Sequence, residues 1–456
     1  MPDLIAAAAT PLAPSAIGIL RLSGPGAAST AGRVFVPQGG VSLRDREDRK
    51  LIFGTLFDRE GNPIDKALAT ISRAPHTYTG EETAEIQCHG SPVVLAMGLE
   101  ALFAAGARQA LPGEFTKRAF LNGRLDLSQA EAVIDLIDAE TPAAVRNAAG
   151  QLTGALSRRL EEIYGILTDV SAHFCAVLDF PDEELDPFNK ETLAKALSDA
   201  DSQLSALLAT FDRGRQLTRG VACAIVGSPN AGKSSLLNRL LGYDRSIVTP
   251  VPGTTRDTVE ERCTLGGVLL RLIDTAGLRE SDDYVERLGA VRSRAAAAGA
   301  ELTLLVLDGA VPVSREDSEA MELAETAPRC ICVVNKSDLP MVVDIAALGS
   351  RFPHLCVVSA ATGEGIENLE SAVAALFPAG REDGGGNLLT NTRQFSAATR
   401  ASQAVEAAKK SLADGFSPDA VLSDVEEAMT ALGELTGRSV SADVTARIFE
   451  RFCVGK

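Results

Sequence analysis

Residues 227–235 read GSPNAGKSS, and this stretch decides how the rest of the sequence is interpreted. It follows the short apolar run VACAIV at 221–226 and leads into SLLNRLLG at 235–242, whose apolar residues recur at helical spacing. Strand, glycine-rich loop and helix in this order form the context of a phosphate-binding loop. The glycines let backbone N–H groups curl around a phosphate, and the helix N-terminus adds the positive end of its dipole. We therefore expect Lys233 to reach the β- and γ-phosphate oxygens and Ser234 to bind Mg²⁺.

Length and composition indicate a folded protein of several domains. The chain has 456 residues, which suggests about three domains, and 45% of its residues are hydrophobic. Its mean hydropathy is +0.08. No apolar run reaches the roughly 18 residues that a membrane span needs, so we expect no stable membrane insertion. The apolar stretch 1–20 contains no basic residue and is broken by prolines, which predicts part of a domain rather than a signal peptide.

Cysteine use and charge narrow the choice of compartment and partners. The eight cysteines are scattered without a C-x-x-C pair, which predicts neither a disulfide framework nor a zinc site and fits a reducing cytoplasm. The net charge of −17 argues against a general nucleic-acid-binding surface. The acidic excess is large at 119–215, where 17 acidic side chains accompany 8 basic ones. Any contact with a polyanion must therefore be local or supplied by a partner.

Changes of pattern along the chain predict four segments. Residues 1–118 contain several short apolar or alternating runs bounded by Gly, Pro and Asn, which predicts a compact α+β domain. Residues 119–215 and 381–456 are helical in pattern, whereas 216–380 alternate between strand and helix as in a doubly wound α/β sheet. We predict that the two helical segments form one all-α domain, because each alone is short of core, and that 216–380 is inserted in its middle.

Two rows of apolar residues at helical spacing are predicted to pack against each other. The first comprises Leu152, Leu156, Leu160, Ile163, Leu167, Val170, Phe174 and Val177. Burying eight such side chains would contribute on the order of 12–24 kcal/mol gross, so this stripe must have a partner. The second stripe comprises Leu422, Val425, Met429, Leu432 and Leu435.

Helix starts are predicted from capping signals. Ser128 with Glu131 and Ser423 with Glu426 match the S-x-x-E capping box. Thr141, followed by a proline, is predicted to cap a further helix.

In the inserted segment most predicted strands end in a motif, as expected for the binding loops of a doubly wound sheet. Asp274-Thr275-Ala276-Gly277 follows VLLRLI, and Asp274 suits the second shell of Mg²⁺ while Gly277 can approach the γ-phosphate. Asn335-Lys336-Ser337-Asp338 follows CICVV, and Ser359-Ala360-Ala361 ends the next run. The run LTLLVLD at 302–308 is predicted to be a strand without chemistry.

The N-K-S-D stretch predicts the base. A carboxylate at Asp338 would accept hydrogen bonds from both N1–H and N2–H₂ of guanine, whereas adenine offers no such donor pair and would leave the carboxylate stranded. Discrimination of this kind can reach roughly 10⁴-fold. Together with the phosphate loop, this predicts GTP as the nucleotide.

Two features concern hydrolysis. Leu278 stands after Asp-Thr-Ala-Gly, where a water-orienting Gln would sit, and an apolar side chain cannot position water. The candidates to replace it lie in LRESDDYVER, and we select Glu286. Thr255 can complete Mg²⁺ coordination once GTP binds, and the backbone carbonyls of 249–253 suit a monovalent cation.

The residues predicted to bind GTP are Asn230, Ala231, Gly232, Lys233, Ser234, Ser235, Thr249, Thr254, Thr255, Asp274, Thr275, Ala276, Gly277, Asn335, Lys336, Asp338, Ser359, Ala360 and Ala361. Ser234 and Thr255 are the predicted Mg²⁺ ligands.

The motifs GSPNAGKSS, GTTRD, DTAGLRE and NKSD, with Phe452-Cys453-Val454-Gly455-Lys456, resemble those of the MnmE (TrmE) family of tRNA uridine-modification GTPases. The resemblance covers the whole chain, including the split helical domain and the order of the parts. The F-C-x-G-K motif is its most particular signature. The fold it implies is a Ras-like P-loop G domain inserted in the helical domain, with a folate-binding-type domain before both.

The resemblance implies K⁺-stimulated GTP hydrolysis. The matching K⁺ ligands are Asn230, Thr249, Val251 and Thr254, and the catalytic residues are Glu286 and Cys453. The sequence departs from the family at Pro250, where relatives often have Asp; the cation loop keeps its backbone carbonyls. It also has Arg124 where relatives often have Lys, which keeps the charge.

The resemblance also implies cofactors and partners. The N-terminal domain would bind 5-formyl-tetrahydrofolate, or a related one-carbon folate, and form a homodimer. The matching folate contacts are Arg21, Glu85, Arg124 and Lys456. With a flavoprotein of the MnmG (GidA) type, which would carry FAD and use NADH, the family adds an aminomethyl-type group to C5 of the tRNA wobble uridine.

Two other classes share some of these motifs. A regulatory or ribosome-assembly GTPase of the Era or Der type has the nucleotide motifs, but ends in a basic RNA-binding module and lacks a large N-terminal domain of this kind. A dynamin-like membrane GTPase needs a lipid-binding segment, and none is visible. Residues 1–118, the acidic helical segment and the F-C-V-G-K motif favour the tRNA-modifying GTPase.

Overall fold

The computed structural model describes residues 3–179, 190–243, 261–273, 299–378, 385–439, 445, 448–450 and 452–455. By its contacts the chain divides into two compact units. The first comprises Met1–Ile134, Leu152–Ala200 and Arg400–Lys456, and the second comprises Asp135–Gln151 and Asp201–Thr399. The predicted boundaries at residues 118, 215 and 380 stay a prediction.

The secondary structure of the described residues runs as follows. The strands are β1 (Ile5–Ala8), β2 (Ser15–Ser23), β3 (Phe35–Pro37), β4 (Ile52–Phe57), β5 (Pro63–Ser72), β6 (Thr83–Gly90), β7 (Arg108–Gln109), β8 (Val221–Val226), β9 (Glu261–Leu265), β10 (Val268–Leu272), β11 (Leu302–Asp308), β12 (Cys330–Asn335) and β13 (Leu355–Val357). The helices are α1 (Ala27–Val34), α2 (Pro92–Ala104), α3 (Glu114–Leu121), α4 (Leu127–Ile137), α5 (Pro142–Leu152), α6 (Ala155–Asp179), α7 (Lys190–Leu208), α8 (Phe211–Arg219), α9 (Lys233–Tyr243), α10 (Arg315–Glu325), α11 (Ile345–Arg351), α12 (Ile366–Leu376), α13 (Thr392–Asp414) and α14 (Pro418–Thr436). A short 3₁₀ helix spans Leu43–Asp45.

The first unit contains a seven-stranded sheet in the order β3-β4-β5-β6-β2-β1-β7. Its pairs are antiparallel except β1 with β7, which run parallel. The prediction of short strands in this part of the chain is confirmed by β2, β4, β5 and β6, and β4 and β5 pair antiparallel. Helices α1 and α2 contribute apolar side chains to one buried cluster with the sheet, including Leu20, Ile86 and Leu95. The alternation along β2 and β6 thus places every second side chain in this core.

The long helix α6 of the first unit packs against α14. The predicted stripe on α6 is buried at Leu156, Leu160, Ile163, Leu167, Val170 and Phe174. Of the predicted stripe on α14, Val425, Leu432 and Leu435 are buried, whereas Leu422 and Met429 are only partly buried and their neighbours Val421 and Ala428 are buried instead. These two stripes are therefore each other's partner, although Leu152 ends α5 instead of joining α6.

Two of the predicted helix starts are wrong. Helix α4 follows Asp126, whose carboxylate accepts from the backbone N–H of Gln129 at 2.9 Å, while Gln129 Oε1 accepts from the Asp126 N–H at 2.9 Å. This reciprocal box displaces the one predicted at Ser128, whose hydroxyl donates to the Asp126 carboxylate at 2.6 Å. Ser423 lies inside α14, because this helix already begins at Pro418. Proline is favoured in the first turn of a helix.

The predicted cap at Thr141 is confirmed. Its hydroxyl accepts from the Ala144 N–H at 3.2 Å as α5 begins.

The second unit contains a six-stranded sheet in the order β13-β12-β11-β8-β10-β9, parallel except for β10 with β9. Every residue of β8 is buried, as expected for a parallel strand covered on both faces. One apolar cluster joins the sheet to α9 and α12, and a second joins it to α10 and α11. The carboxyl ends of β8, β11, β12 and β13 therefore meet at one edge, where the motifs follow. In the described ranges, no helix is both long and apolar enough to span a bilayer.

Candidate functional site

The loop between β8 and α9 is shaped by two residues in left-handed backbone conformations. Asn230 has φ +61°, which Asn tolerates better than most residues. Gly232 has φ +93°, and a Cβ there would lie 2.2 Å from Nδ2 of Asn335. Any larger residue at Gly232 would thus push the loop away from the end of β12. The close approach places the predicted phosphate loop directly beside the predicted base loop.

Lys233 is the first residue of α9, and its ammonium is turned back over the loop. Its Nζ donates to the carbonyl oxygens of Gly227 at 3.0 Å and Ser228 at 2.7 Å. Burial lowers the pKa of Lys233, and the negative charge of Asp317 opposes that shift. A half-buried ammonium at a helix N-terminus suits an anion such as a phosphate, so the residues present fit a nucleotide phosphate and its Mg²⁺.

Asn335 ties three loops together at the carboxyl edge of the sheet. Its Nδ2 donates to the carbonyl of Ala231 at 3.0 Å, and its Oδ1 accepts from the N–H of Ala360 at 2.9 Å. The side chain is 2% exposed. Both ends of the amide are thus used, and the phosphate loop, the N-K-S-D loop and the 359–361 loop are held in one arrangement.

Asp338 is oriented by the 359–361 loop. Its Oδ1 accepts from the hydroxyl of the fully buried Ser359 at 2.6 Å. The same hydroxyl oxygen accepts from the N–H of Thr362 at 3.1 Å. Arg239 of α9 holds the loop from the other side, with Nε donating to the carbonyl of Ala360 at 2.9 Å and Nη2 donating to that of Ala361. The predicted base-binding carboxylate therefore has a fixed direction.

The run predicted to be a strand without chemistry is confirmed as the strand β11. Its last residue, Asp308, accepts from Nζ of Lys336 at 2.6 Å, which links β11 to the N-K-S-D loop. Arg239 is the other residue that the sequence interpretation missed. Asp308 could have been identified from its position at the carboxyl end of a buried strand, because neighbouring parallel strands end at the same edge of the sheet.

Part of the predicted nucleotide site lies outside the described residues. The described part of the site comprises residues at or after the carboxyl ends of β8, β12 and β13: Asn230, Ala231, Gly232, Lys233, Ser234, Ser235, Asn335, Lys336, Asp338, Ser359, Ala360 and Ala361. Outside are Thr249, Pro250, Val251, Thr254, Thr255, Asp274, Thr275, Ala276, Gly277, Leu278 and Glu286.

A second cluster of predicted site residues lies on the sheet of the first unit. Arg21 of β2 and Glu85 of β6 are directly opposite each other, and Arg21 Nε donates to Glu85 Oε1 at 2.8 Å. Arg21 Nη1 also donates to the carbonyl of Gly455 at 3.5 Å, and its guanidinium lies 5.8 Å from the ring centre of Phe115. Gly455 has φ +100°, and a Cβ there would lie 2.2 Å from the carbonyl oxygen of Ala8.

The segment around Cys453 is fixed on both sides. Val454 forms an isolated antiparallel bridge with Pro112, and the carbonyl of Cys453 accepts from the Gly113 N–H at 3.3 Å. Phe449 and Phe452 pack into a cluster with Ala130 of α4, so this segment is docked on a helix. Cys453 itself is exposed.

Arg124, a further predicted folate contact, is bonded to the segment 77–78. Its Nε donates to the carbonyl of Thr77 at 3.2 Å. Burial raises the pKa of the adjacent Tyr78, opposed by a hydrogen bond with Thr116 and by the charge of Arg21. Arg21 is thus in direct contact with both Glu85 and Gly455. Arg124 is bonded to Thr77, the neighbour of Tyr78, and Lys456 lies outside the described residues.

Two nearby titratable residues, Glu81 just before β6 and His89 near its end, have other partners. Glu81 accepts from Arg118 at 2.9 Å and from the Ser23 hydroxyl at 2.7 Å. His89 contacts Asp65 at 2.8 Å. They do not join the Arg21 cluster through these contacts.

The fold and the nucleotide loops define a multidomain α/β P-loop GTPase, with a Ras-like G domain inserted in an all-α helical domain and an α+β domain before both. Residues 4–124 match the family model for the GTP-binding protein TrmE N-terminus, and residues 127–453 match that for the MnmE helical domain. The chain belongs to the family of the tRNA modification GTPase MnmE.

Individual relatives align over the full length. The tRNA modification GTPase MnmE of Roseiflexus sp. (strain RS-1) is 45% identical over 465 residues, covering 100% of this chain and 99% of that protein. Its counterpart from Chloroflexus aurantiacus is 45% identical over 463 residues and covers 100% of both. Among solved structures, the G domain of the T. maritima FeoB iron transporter is 28% identical, covers 34% of this chain and 97% of that chain, and has a TM-score of 0.26.

Proposed function

We propose that this chain hydrolyses GTP in a K⁺-stimulated way and, with a flavoprotein of the MnmG (GidA) type, adds an aminomethyl-type group to C5 of the wobble uridine of tRNA. The single observation that carries the GTP part is the side chain of Asn335, which joins the phosphate loop to the base loop. It supports one nucleotide lying across both loops at the carboxyl edge of the sheet.

Guanine recognition is assigned to Asp338. The bond from Ser359 leaves the carboxylate pointing along one direction, so its oxygens can accept from N1–H and N2–H₂ of guanine. Adenine would leave this acceptor pair unmatched, which is the kind of mismatch that a specific site rejects strongly.

Phosphate binding is assigned to the loop between β8 and α9. Lys233 would exchange its two carbonyl partners for phosphate oxygens. Ser234 and Thr255 would hold Mg²⁺, with Asp274 behind them. When bound, Mg²⁺ neutralises charge that develops on the phosphate oxygens.

Hydrolysis is assigned to Glu286 and to a K⁺ ion held by Asn230, Thr249, Val251 and Thr254. Of these, Asn230 lies in the described loop, with a left-handed backbone. Glu286 would orient the attacking water, since Leu278 offers no polar group.

The cluster at Arg21 is assigned to a 5-formyl-tetrahydrofolate-type cofactor. Glu85 can accept from the amino and ring N–H groups of a pterin, and the arginines at 21 and 124 can pair with the cofactor's carboxylates. The residues present therefore fit this group, with Lys456 as a further contact. The one-carbon unit would come from this folate, and the exposed Cys453 would act beside it.

The remaining assignments concern organisation. We place the domains at 1–118, 119–215, 216–380 and 381–456, with the second and fourth forming one helical domain. The N-terminal domain would form a homodimer, FAD and NADH would be used by the flavoprotein partner, and the complex would act on tRNA in the cytoplasm.

The hydrolytic part is tested by cation dependence. We expect kcat for GTP to fall by at least about 10²-fold when K⁺ is replaced by Na⁺ or in Glu286→Ala, because charge stabilisation and water orientation are both lost. GTP affinity should be largely kept. The measurement is phosphate release by the purified full chain at saturating GTP.

A matched control is Glu319→Ala, which removes an exposed glutamate paired with Arg315 on the outer face of α10. It should leave kcat unchanged. Equal rates in K⁺ and Na⁺, or full activity of Glu286→Ala, would contradict this assignment.

A further inference from the structure

We propose that Asp308 is a positioning residue for base binding: it holds the Lys336 side chain along the base site and thereby sets guanine-nucleotide affinity. This inference rests on the GTP site proposed above. It concerns a residue of a strand that carries none of the sequence motifs.

The contact is short and partly shielded from water. Lys336 Nζ lies 2.6 Å from Asp308 Oδ2, and the side chains are 32% and 13% exposed, respectively. The other carboxylate oxygen, Oδ1, accepts from the N–H of Ala310 at 2.9 Å. Asp308 is therefore fixed by its own loop and presents one oxygen to the lysine.

Lys336 has a backbone conformation that lysine rarely adopts. Its φ is +66°, in the left-handed region. The bend is held by two backbone bonds, from Ser337 N–H to the Val358 carbonyl at 3.1 Å and from Leu339 N–H to the Lys336 carbonyl at 3.0 Å. This backbone conformation directs the Lys336 side chain toward β11, where its ammonium donates to the carboxylate of Asp308.

The loops that carry Asp308 and Lys336 are also joined by their backbones. Gly309 N–H donates to the Asn335 carbonyl at 2.9 Å, and Val342 N–H donates to the Gly309 carbonyl at 2.8 Å. These bonds do not involve the Asp308 side chain. Replacing the carboxylate should therefore leave the loops in place and release only the lysine.

The neighbours of Lys336 in the motif have anchors of their own. Asn335 is held by Ala231 and Ala360, and Asp338 by Ser359. If Asp338 binds the edge of a planar base, one face of that base lies against the side chain between Asn335 and Asp338. That side chain is Lys336. The Lys336 stem, whose ammonium is held by Asp308, supplies four methylene groups for one face of the base. Without Asp308 this flexible side chain must be ordered by the nucleotide itself, at an entropic cost.

The test is a double-mutant cycle on the full chain with Asp308→Asn, Lys336→Met and the double variant. We expect Asp308→Asn to raise the Kd of GDP about tenfold, which is ~1.4 kcal/mol. Adding Asp308→Asn to Lys336→Met should change Kd by less than about twofold, because the partner is already gone. At saturating GTP in K⁺, kcat should be unchanged while KM rises, which separates binding from chemistry.

The matched control is Asp344→Asn, which alters a helix-capping carboxylate bonded to Ala346 and Ala347 in the same unit. Its Kd for GDP should equal that of the unaltered chain. An unchanged Kd in Asp308→Asn, or an equal tenfold loss in the Lys336→Met background, would overturn the inference. Failure of the unaltered chain to prefer GDP over ADP would instead overturn the proposed guanine site.

Discussion

Asp338→Asn is expected to exchange the preference of this chain for GTP with a preference for xanthosine triphosphate. GTP affinity should fall by roughly 10³–10⁴-fold, because an amide offers one acceptor where guanine N1–H and N2–H₂ need two. The Ser359 hydroxyl donates to Oδ1 of Asp338, and it should keep the amide oxygen of the variant on the same side. The amide N–H₂ would then meet the C2 carbonyl of xanthine. Titration of both nucleotides against the purified chain measures the exchange.

The control is again Asp344→Asn, whose carboxylate caps α11. It should bind GTP like the unaltered chain and show no gain for the xanthine nucleotide. Unchanged GTP affinity in Asp338→Asn would show that the N-K-S-D loop is not the base site.

Cys453→Ser is expected to abolish wobble-uridine modification while GTP hydrolysis continues at the rate of the unaltered chain. The thiol is exposed and lies two residues before Gly455, whose carbonyl accepts from Arg21, while Val454 pairs with Pro112. A hydroxyl at this position fills the same space but is a far weaker nucleophile than a thiol. Phosphate release and nucleoside analysis of tRNA from cells that carry only the variant measure the two activities.

The matched control is Cys175→Ser, which alters another exposed cysteine, on α6. It should leave both activities intact. Full modification by Cys453→Ser would reduce Cys453 to a residue that shapes the segment, and its catalytic role would be dropped.

The features that the sequence predicts well are those with local signals. The phosphate loop follows from its glycines, the apolar strand before it and the apolar helix after it, and the structure places it between β8 and α9. The α6 stripe could be predicted because its period is local, and the need for a partner follows from the area to be buried.

The features that the sequence does not reveal depend on distant parts of the chain. The bond between Asp308 and Lys336 exists because β11 and β12 are neighbours in the sheet, and nothing in either motif states that order. Arg21 and Gly455 are 434 positions apart. The helix start at Ser128 failed for a different reason, because two capping patterns overlapped and the one with a carboxylate acceptor, at Asp126, formed.

Regulatory GTPases of the Era or Der type would share the nucleotide loops but have no use for the cluster at Arg21. Here the segment 452–455 is packed so closely on the N-terminal part of the chain that Gly455 admits no Cβ. The exposed Cys453 lies two residues from Gly455, which contacts Arg21 of the Arg21–Glu85 pair, and we propose that this segment serves chemistry on a bound molecule. This arrangement favours a modifying enzyme over a switch that only binds GTP.

The central claim, that this GTPase modifies tRNA, is tested most directly by mass spectrometry of wobble nucleosides. The samples are tRNA from cells lacking this chain, from the same cells with the chain restored, and from cells restored with Cys453→Ser. The account predicts that the C5-aminomethyl-type uridines disappear without the chain, return when it is restored, and do not return with the variant. An unchanged set of wobble uridines in cells lacking the chain would contradict the account.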